Sequence, residues 1–157
     1  MGNDLRIGSL TLRNAQPSDC EDILRWRNDS VTRLNSFHSR PISEEEHRAW
    51  YQKALRDENC VLVLALEENG ERAGIARFDL NGTKAEININ VAPEKRGHGF
   101  GKLLVRAAID YLYRARGKFH ISARIKQHNV ASIKTFERCG FSKREARGDY
   151  VVFGYER

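Results

Sequence analysis

The sequence predicts an α+β fold, and three stretches carry the prediction. Ala85 to Val91 reads AEININV, with Glu86, Asn88 and Asn90 alternating against Ile87, Ile89 and Val91; a period of two marks a strand with one polar and one apolar face. Beyond a turn rich in glycine, Leu103, Leu104, Ala107, Ala108, Tyr111 and Leu112 recur at helical spacing, so a helix opens within the turn and runs to about Arg114. Cys60 to Leu66, CVLVLAL, is a nearly continuous apolar run, the mark of a central strand.

In chain order, SLTLRNA around Leu10 and Leu12 forms a short first strand. Ser18 with Glu21 three residues on is a capping-box pattern, opening a helix through Ile23, Leu24 and Arg27 that Trp26-Arg27-Asn28-Asp29 closes. Thr32 to Arg40 is a polar segment containing Phe37 and His38, ended by Pro41. Ser43 with Glu46 starts a second helix bearing His47, Trp50, Tyr51 and Leu55. The central strand turns at Glu68-Asn69-Gly70 into Ala73 to Leu80, and Asn81-Gly82 turns that strand into Glu86 to Val91, an antiparallel meander. After the long helix, Phe119 to Ile125 is a strand, and a helix from about Asn129 to Arg138 stops at Gly140, a left-handed cap. Phe141 to Ala146 and Tyr150 to Tyr155 make a final hairpin across Arg147-Gly148-Asp149. No repeat or linker divides the chain, and 157 residues suit one domain, able to bury roughly 70% of its unfolded surface.

The turn between strand and helix reads VAPEKRGHGFGK from Val91 to Lys102. Such a turn leaves backbone N–H groups unpaired at a helix N-terminus, a setting that suits a phosphate. A Walker loop needs four residues between its first glycine and Gly-Lys, then Ser or Thr; here Gly97 and Gly101 are three residues apart and Leu103 follows Lys102. A dinucleotide fingerprint requires G-x-G-x-x-G after the first strand, whereas this loop reads G-x-G-x-G past mid-chain. What it matches is Arg96-x-x-Gly99-x-Gly101, which resembles the acyl-CoA pyrophosphate loop of the GNAT (Gcn5-related) N-acetyltransferases. Asn129-Val130-Ala131-Ser132, continuing through Phe136 to Gly140-Phe141, resembles that family's second signature, in the family's order and separation.

The resemblance spans essentially the whole chain and implies the order β-α-α-β-β-β-α-β-α-β-β, a mixed sheet whose fourth and fifth strands splay apart around the cofactor, acetyl-CoA. It implies that Arg96, Gly97, His98, Gly99, Phe100, Gly101 and Lys102 cradle the pyrophosphate, with charge added by the Arg96 and Lys102 side chains. Backbone of Ile89, Asn90 and Val91 would bind the pantetheine arm. Asn129, Ser132, Lys134 and Phe136 complete the cofactor side, a solvated helix face being the other reading of Lys134. Glu86, on the polar face beside the expected thioester, is the candidate general base; its other reading is a surface carboxylate. Where many relatives carry tyrosine, Phe136 has no proton to give a departing thiolate; Ser132, Tyr150 or water remains as donor, or the thiolate leaves unassisted.

Leu24 to Asp29, LRWRND, with Ser36-Phe37, Ile42 and Glu45-Glu46-His47, is similar to N-acetyltransferases acting on UDP-linked 4-amino-4,6-dideoxy sugars of pseudaminic acid biosynthesis. A nucleotide sugar asks for cations at its phosphates and an aromatic face for its base. Arg25, Trp26, Arg27, Asn28, Phe37 and His38 are the acceptor-side candidates on that resemblance, with Arg33, Arg40 and Trp50 in the same half and core packing the competing reading of both tryptophans. Ribosomal-protein Nα-acetyltransferases share related W-R-N segments and supply the second acceptor reading, and the loss of tyrosine at Phe136 supplies a third, a CoA-binding sensor.

Net charge is +6, from 27 Lys and Arg against 21 Asp and Glu, but no basic run or interleaved aromatic platform marks a nucleic-acid surface. Three scattered cysteines, Cys20, Cys60 and Cys139, fit buried thiols in a reduced cytoplasm and no metal site. The polar start from Met1 to Arg6 and the lack of a long apolar run predict a soluble, untargeted protein without membrane contact. Exposed edges of the last strands allow a homodimer, as in relatives of the resembled family.

Overall fold

The computed structural model describes residues 4–155; Met1 to Asn3 of the polar start lie outside the described residues. The chain runs β1 (Leu5–Ile7), β2 (Leu10–Asn14), α1 (Cys20–Arg27), α2 (Ser30–Leu34), α3 (Glu44–Arg56), β3 (Cys60–Leu66), β4 (Arg72–Asn81), β5 (Lys84–Val91), α4 (Phe100–Arg116), β6 (His120–Lys126), α5 (Val130–Arg138), β7 (Phe141–Arg147) and β8 (Tyr150–Tyr155). The strands form one mixed sheet in the order β1-β2-β3-β4-β5-β6-β8-β7, antiparallel except where β5 meets β6. No helix among the described residues is long and apolar enough to cross a membrane.

Three local features depart from the sequence reading. A short strand, β1, pairs with β2 ahead of the expected first strand. The Thr32 to Arg40 segment begins within a helix, α2, because the Asp29 side chain accepts from the N–H groups of Val31 and Thr32. The first capping box is not Ser18 with Glu21. It is Gln16 with Asp19, around a 3-10 turn at Pro17–Asp19 that leads into α1. Ser43 does cap α3, accepting from Glu46 N at 3.1 Å.

The continuous apolar run of β3 is explained by burial on both faces. Val61, Val63 and Ala65 join Ala76, Phe78, Ala85, Ile87 and the inner stripe of α4, while Leu62 and Leu64 join Ile75 with Cys20, Ile23 and Trp26 of α1 and Tyr51 and Ala54 of α3. Helix α4 therefore covers one side of the sheet, and α1 and α3 cover the other. The second layer is pinned by Asp19, whose side chain is fully buried: its carboxylate accepts from Arg13 at 2.7 and 3.0 Å, Arg72 at 2.7 Å and the Gln16 N–H at 2.7 Å. Burial alone would raise the Asp19 pKa, but these bonds outweigh it and hold the carboxyl below its usual range.

The expected splay is present. Strands β5 and β6 pair only through Lys84↔His120, Ala85↔Ile121 and Glu86↔Ser122. Past that point β5 stays with β4 as far as Val91, and β6 stays with β8 as far as Lys126. About 13 Å of β5, from Ile87 to Val91, faces no neighbouring strand on that side among the described residues.

Candidate active site

Two backbone hydrogen bonds fix which groups of β5 line the gap. Thr83 C=O accepts from His120 N on the β6 side, and Ala92 N donates to Ala73 C=O on the β4 side. Backbone direction alternates residue by residue in a strand. Ile87, Ile89 and Val91 therefore turn their N–H and C=O groups into the gap. The Asn90 backbone bonds β4 instead, a correction to its expected contact with the cofactor arm; its side-chain oxygen accepts from Thr32 Oγ1 at 3.4 Å. Side chains alternate too, so Glu86, Asn88 and Asn90 stand on the face covered by α1 to α3.

At the end of this edge, the chain turns through Gly97 and Gly99, with φ of +80° and +79°, into the N-terminus of α4. Left-handed backbone is open to glycine at little cost. A Cβ at either position would meet no atom within 4 Å, which leaves open space over both. Among the described residues no acceptor takes the N–H groups of Gly97, His98 or Gly99, and the first-turn N–H groups of Phe100, Gly101 and Lys102 have no partner within the helix. Six donors at the positive end of a 17-residue helix make an anion site. The Arg96 amide is not among them, since it donates to Pro93 C=O at 3.4 Å. Its side chain is also engaged, on Asp29 at 2.9 Å and Thr32 Oγ1 at 2.7 Å, so Arg96 ties the loop to α2 rather than adding free charge. Lys102 and His98 are exposed beside the loop.

On the far side of the gap, Asn129 caps α5, its side-chain oxygen accepting from Ser132 N at 3.3 Å. Lys134 is exposed on α5. Phe136 is buried at 2% exposure, edge-on to Phe141 at 5.0 Å, which makes it core rather than a cofactor contact. Glu86 sits where β5 and β6 part, and its Oε2 accepts from Arg124 Nε at 2.9 Å. That hydrogen bond to the carboxylate raises the Arg124 pKa above its ordinary value. Arg124 and Lys126 also lie over the Phe37 ring, 4.7 and 4.9 Å from its centroid, and Phe37 meets Tyr150 edge-on at 5.2 Å. The segment after α2 thereby reaches across to β6 and β8.

Two acceptor-side expectations are corrected, those for Trp26 and Asn28. Trp26 has no exposed surface and packs with Ile23 and Tyr51. The Asn28 amide is closed on the Ile42 backbone, donating to its C=O and accepting from its N–H, both at 2.8 Å. Arg25 pairs with Glu94 at 3.1 Å and Asp22 at 3.4 Å on the surface. Arg27 remains half-buried, its guanidinium 4.8 Å from the Trp50 ring centroid, and His38 is exposed.

Residues 9–142 match the family described as the Acetyltransferase (GNAT) domain. The chain belongs to the GNAT acetyltransferase family. It is accordingly an acyltransferase domain, and acetyl-CoA is its cofactor. The chain is 33% identical to spermidine N(1)-acetyltransferase of Vibrio cholerae, over 84% of this chain and 78% of that protein. It is 29% identical to an uncharacterized N-acetyltransferase of Methanocaldococcus jannaschii, over 96% of this chain but 66% of that longer protein. The fold is shared with the Vibrio cholerae spermidine N-acetyltransferase solved with CoA and spermine, at a TM-score of 0.82 and 24% identity over 93% of this chain and 92% of that one. It is likewise shared with AAC(6')-Ib solved with paromomycin and acetyl-CoA, at a TM-score of 0.83 and 21% identity over 96% and 94% of the two chains. The parted sheet and the glycine cradle of this GNAT domain fit its cofactor: a strand edge for an extended arm, and unpaired amides for a diphosphate.

Proposed function

We infer that this GNAT domain, acting as one folded unit, moves an acetyl group onto the primary amine of a nucleotide-linked amino sugar. The observation that carries the transfer is the gap between β5 and β6, with inward-facing amides along one wall and Glu86 at its vertex. Acetyl-CoA supplies an acetyl group activated as a thioester. The residues of this chain do the remainder. The amides of Gly97 to Lys102 hold the diphosphate, each at the favourable end of the α4 dipole, about 0.3–1 kcal/mol per contact. The N–H groups of Ile89 and Val91 would bond the pantetheine arm, and one of them would serve as the oxyanion donor. Glu86 takes the proton of the attacking amine, directly or through water, a role that typically contributes about 10²- to 10⁴-fold. An amine with a pKa near 8 is partly neutral already, which suits a lone carboxylate better than a lysine near 10.4. The open Glu86 oxygen, Oε1, is free of Arg124. Ser132, Tyr150 or water would supply the proton for the departing thiol, which could otherwise leave as the thiolate.

The nucleotide-sugar acceptor is supported by LRWRND and by an acceptor face that offers Arg27, Trp50, Phe37 and His38. A ribosomal-type protein N-terminus is the second reading, favoured by the same W-R-N segment. Thiol release from acetyl-CoA, measured with UDP-linked 4-amino sugars, ribosomal-protein N-terminal peptides and spermidine in parallel, tests the choice. Release with the nucleotide sugars alone is expected, and release with peptides alone moves the domain to the second reading. Glu86→Gln is expected to lower kcat while leaving CoA affinity intact; an unchanged kcat removes Glu86 from the mechanism.

A further inference from the structure

Most cations around the acceptor face have partners. Arg25 has Glu94 and Asp22, Arg33 donates to the carbonyls of Asn28 and Ser39, Arg96 holds Asp29, Arg124 holds Glu86, and Lys126 holds Asp149. Arg27 is different. Among the described residues no carboxylate pairs with it. Its Nη1 faces His47 Nδ1 at 3.5 Å, and because His47 Nε2 must donate to Cys20 C=O at 3.1 Å, the buried neutral ring presents Nδ1 as an acceptor. A second guanidinium, Arg77 of β4, lies 5.9 Å from the same Trp50 ring centroid. Its carboxylate neighbour is Asp79, at 3.3 Å and half exposed, a surface pair like those of Arg25 and Arg124.

Two cations gathered on one indole repel each other. Burial and the nearby Arg77 both lower the Arg27 pKa from its ordinary value. Cation–π contact with Trp50 offsets part of this cost, but an anion placed between the two forks would offset far more, because guanidinium matches phosphate in shape as well as charge. Arg77 stands opposite Asn88 in the β4–β5 register, and Asp79 stands opposite Glu86. The Arg77 backbone therefore lies about 7 Å along the strand from the position opposite Glu86, the span of one sugar ring from an amine on one side to a phosphate on the other.

We propose that Arg27 and Arg77, held on Trp50, are the seat for the diphosphate of the acceptor. The assignment rests on the reading of this face as the acceptor side of an acetyl-transfer site. The same charges disfavour a polyamine, since like charges brought together across a site act against binding. Arg77 thus becomes a specificity-determining residue.

The test uses the full chain saturated with CoA, so that the glycine loop is filled, and titrates UDP by calorimetry. UDP is expected to bind. Arg77→Gln and Arg27→Met are each expected to weaken it at least about tenfold, while CoA affinity and the melting temperature stay close to those of the parent. Because Arg27 packs on Trp50, Arg77→Gln is the deciding variant if Arg27→Met melts early. Absent UDP binding, or binding unchanged within twofold in Arg77→Gln, overturns the seat. In turnover, UDP-amino sugars whose KM rises at least tenfold in Arg77→Gln, with kcat retained, support it. Acetylation of those sugars with an unchanged KM overturns the seat and leaves the acetyl-transfer reading standing. Arginine-dependent UDP binding without any sugar acetylation keeps the seat and removes the sugar reading. Efficient acetylation of spermidine in preference to every anionic amine overturns the proposal.

Discussion

Replacing Asp19 by asparagine keeps the volume of a fully buried side chain and removes its charge. In the parent, the two oxygens accept four hydrogen bonds, three from guanidinium groups and one from the Gln16 N–H. Asparagine has one acceptor oxygen, and its NH₂ turns two donors toward groups that are themselves donors. Breaking a buried charge pair by altering one partner typically costs about 3–5 kcal/mol. Arg13 and Arg72 retain 15% and 32% of their side-chain exposure, so water partly rescues them and the lower end applies, about 3 kcal/mol. For a domain of this size, that is a fall of roughly 6–12 °C in Tm. The pH dependence has a definite sign. With the folded pKa held below the unfolded value near 3.9, the stabilisation is complete well above that value and is lost as pH falls through the folded pKa. Urea unfolding of the parent and Asp19→Asn at pH 7 and at pH 3 measures both effects. A gap of about 3 kcal/mol that shrinks at pH 3 is expected; a gap below about 1 kcal/mol at pH 7, or one that ignores pH, refutes the reasoning.

Gly99→Ala meets no steric obstacle but places a Cβ on left-handed backbone, so a stability loss of about 1–2 kcal/mol is expected, and isothermal titration with acetyl-CoA should register weaker binding as well. At Gly74 the new Cβ would lie 2.9 Å from Asn90 O and 3.2 Å from Leu104 Cδ2, forcing β5 away from β4 at the wall of the gap; a loss of about 1–3 kcal/mol together with a raised KM for acetyl-CoA is expected, and a neutral outcome in both would contradict the geometry. His47 is buried, and burial followed by the Arg27 charge lowers its pKa. The unfolded chain therefore binds more protons below about pH 6.5, so the parent should lose stability from there toward pH 5, and His47→Gln should flatten that part of a Tm-against-pH curve.

The central architecture was readable because its signals are local. The AEININV alternation became β5 with its polar and apolar faces as expected, and the Gly97 and Gly99 pattern was visible because only glycine takes left-handed backbone freely. Helix α2 escaped because five residues, SVTRL, are too few to show a period, although Asp29 ahead of them was a cap signal. Strand β1, three residues long, was below the same threshold. The two tryptophans were separable only by packing: Cys20, Ile23 and Trp26 share a buried helical face, whereas Trp50 is adjacent to buried Tyr51 and stands half-exposed beneath Arg27. Arg77 gave no sign of itself, because its place beside Arg27 arises from α1, α3 and β4 meeting in space. Asn28 looked like a binding residue for the converse reason: its partner, Ile42, is fourteen residues away and offers only backbone.

The parting of β5 from β6 also bears on how copies of this chain behave toward one another. A strand edge with free N–H and C=O groups is ordinarily a template for a strand of another molecule. The free edge at Ile87, Ile89 and Val91 lies inside the sheet, with α4 over one face and the α1–α3 layer over the other. A strand from a neighbouring molecule would have to carry its side chains between both layers to reach it, whereas a thin unbranched chain enters end-on. The outer edges are blunted in other ways: β1 is three residues long, and β7 bears Lys143, Arg144, Glu145 and Arg147. The domain thus keeps a hydrogen-bonding edge ready for a ligand without offering a seed for polymerisation.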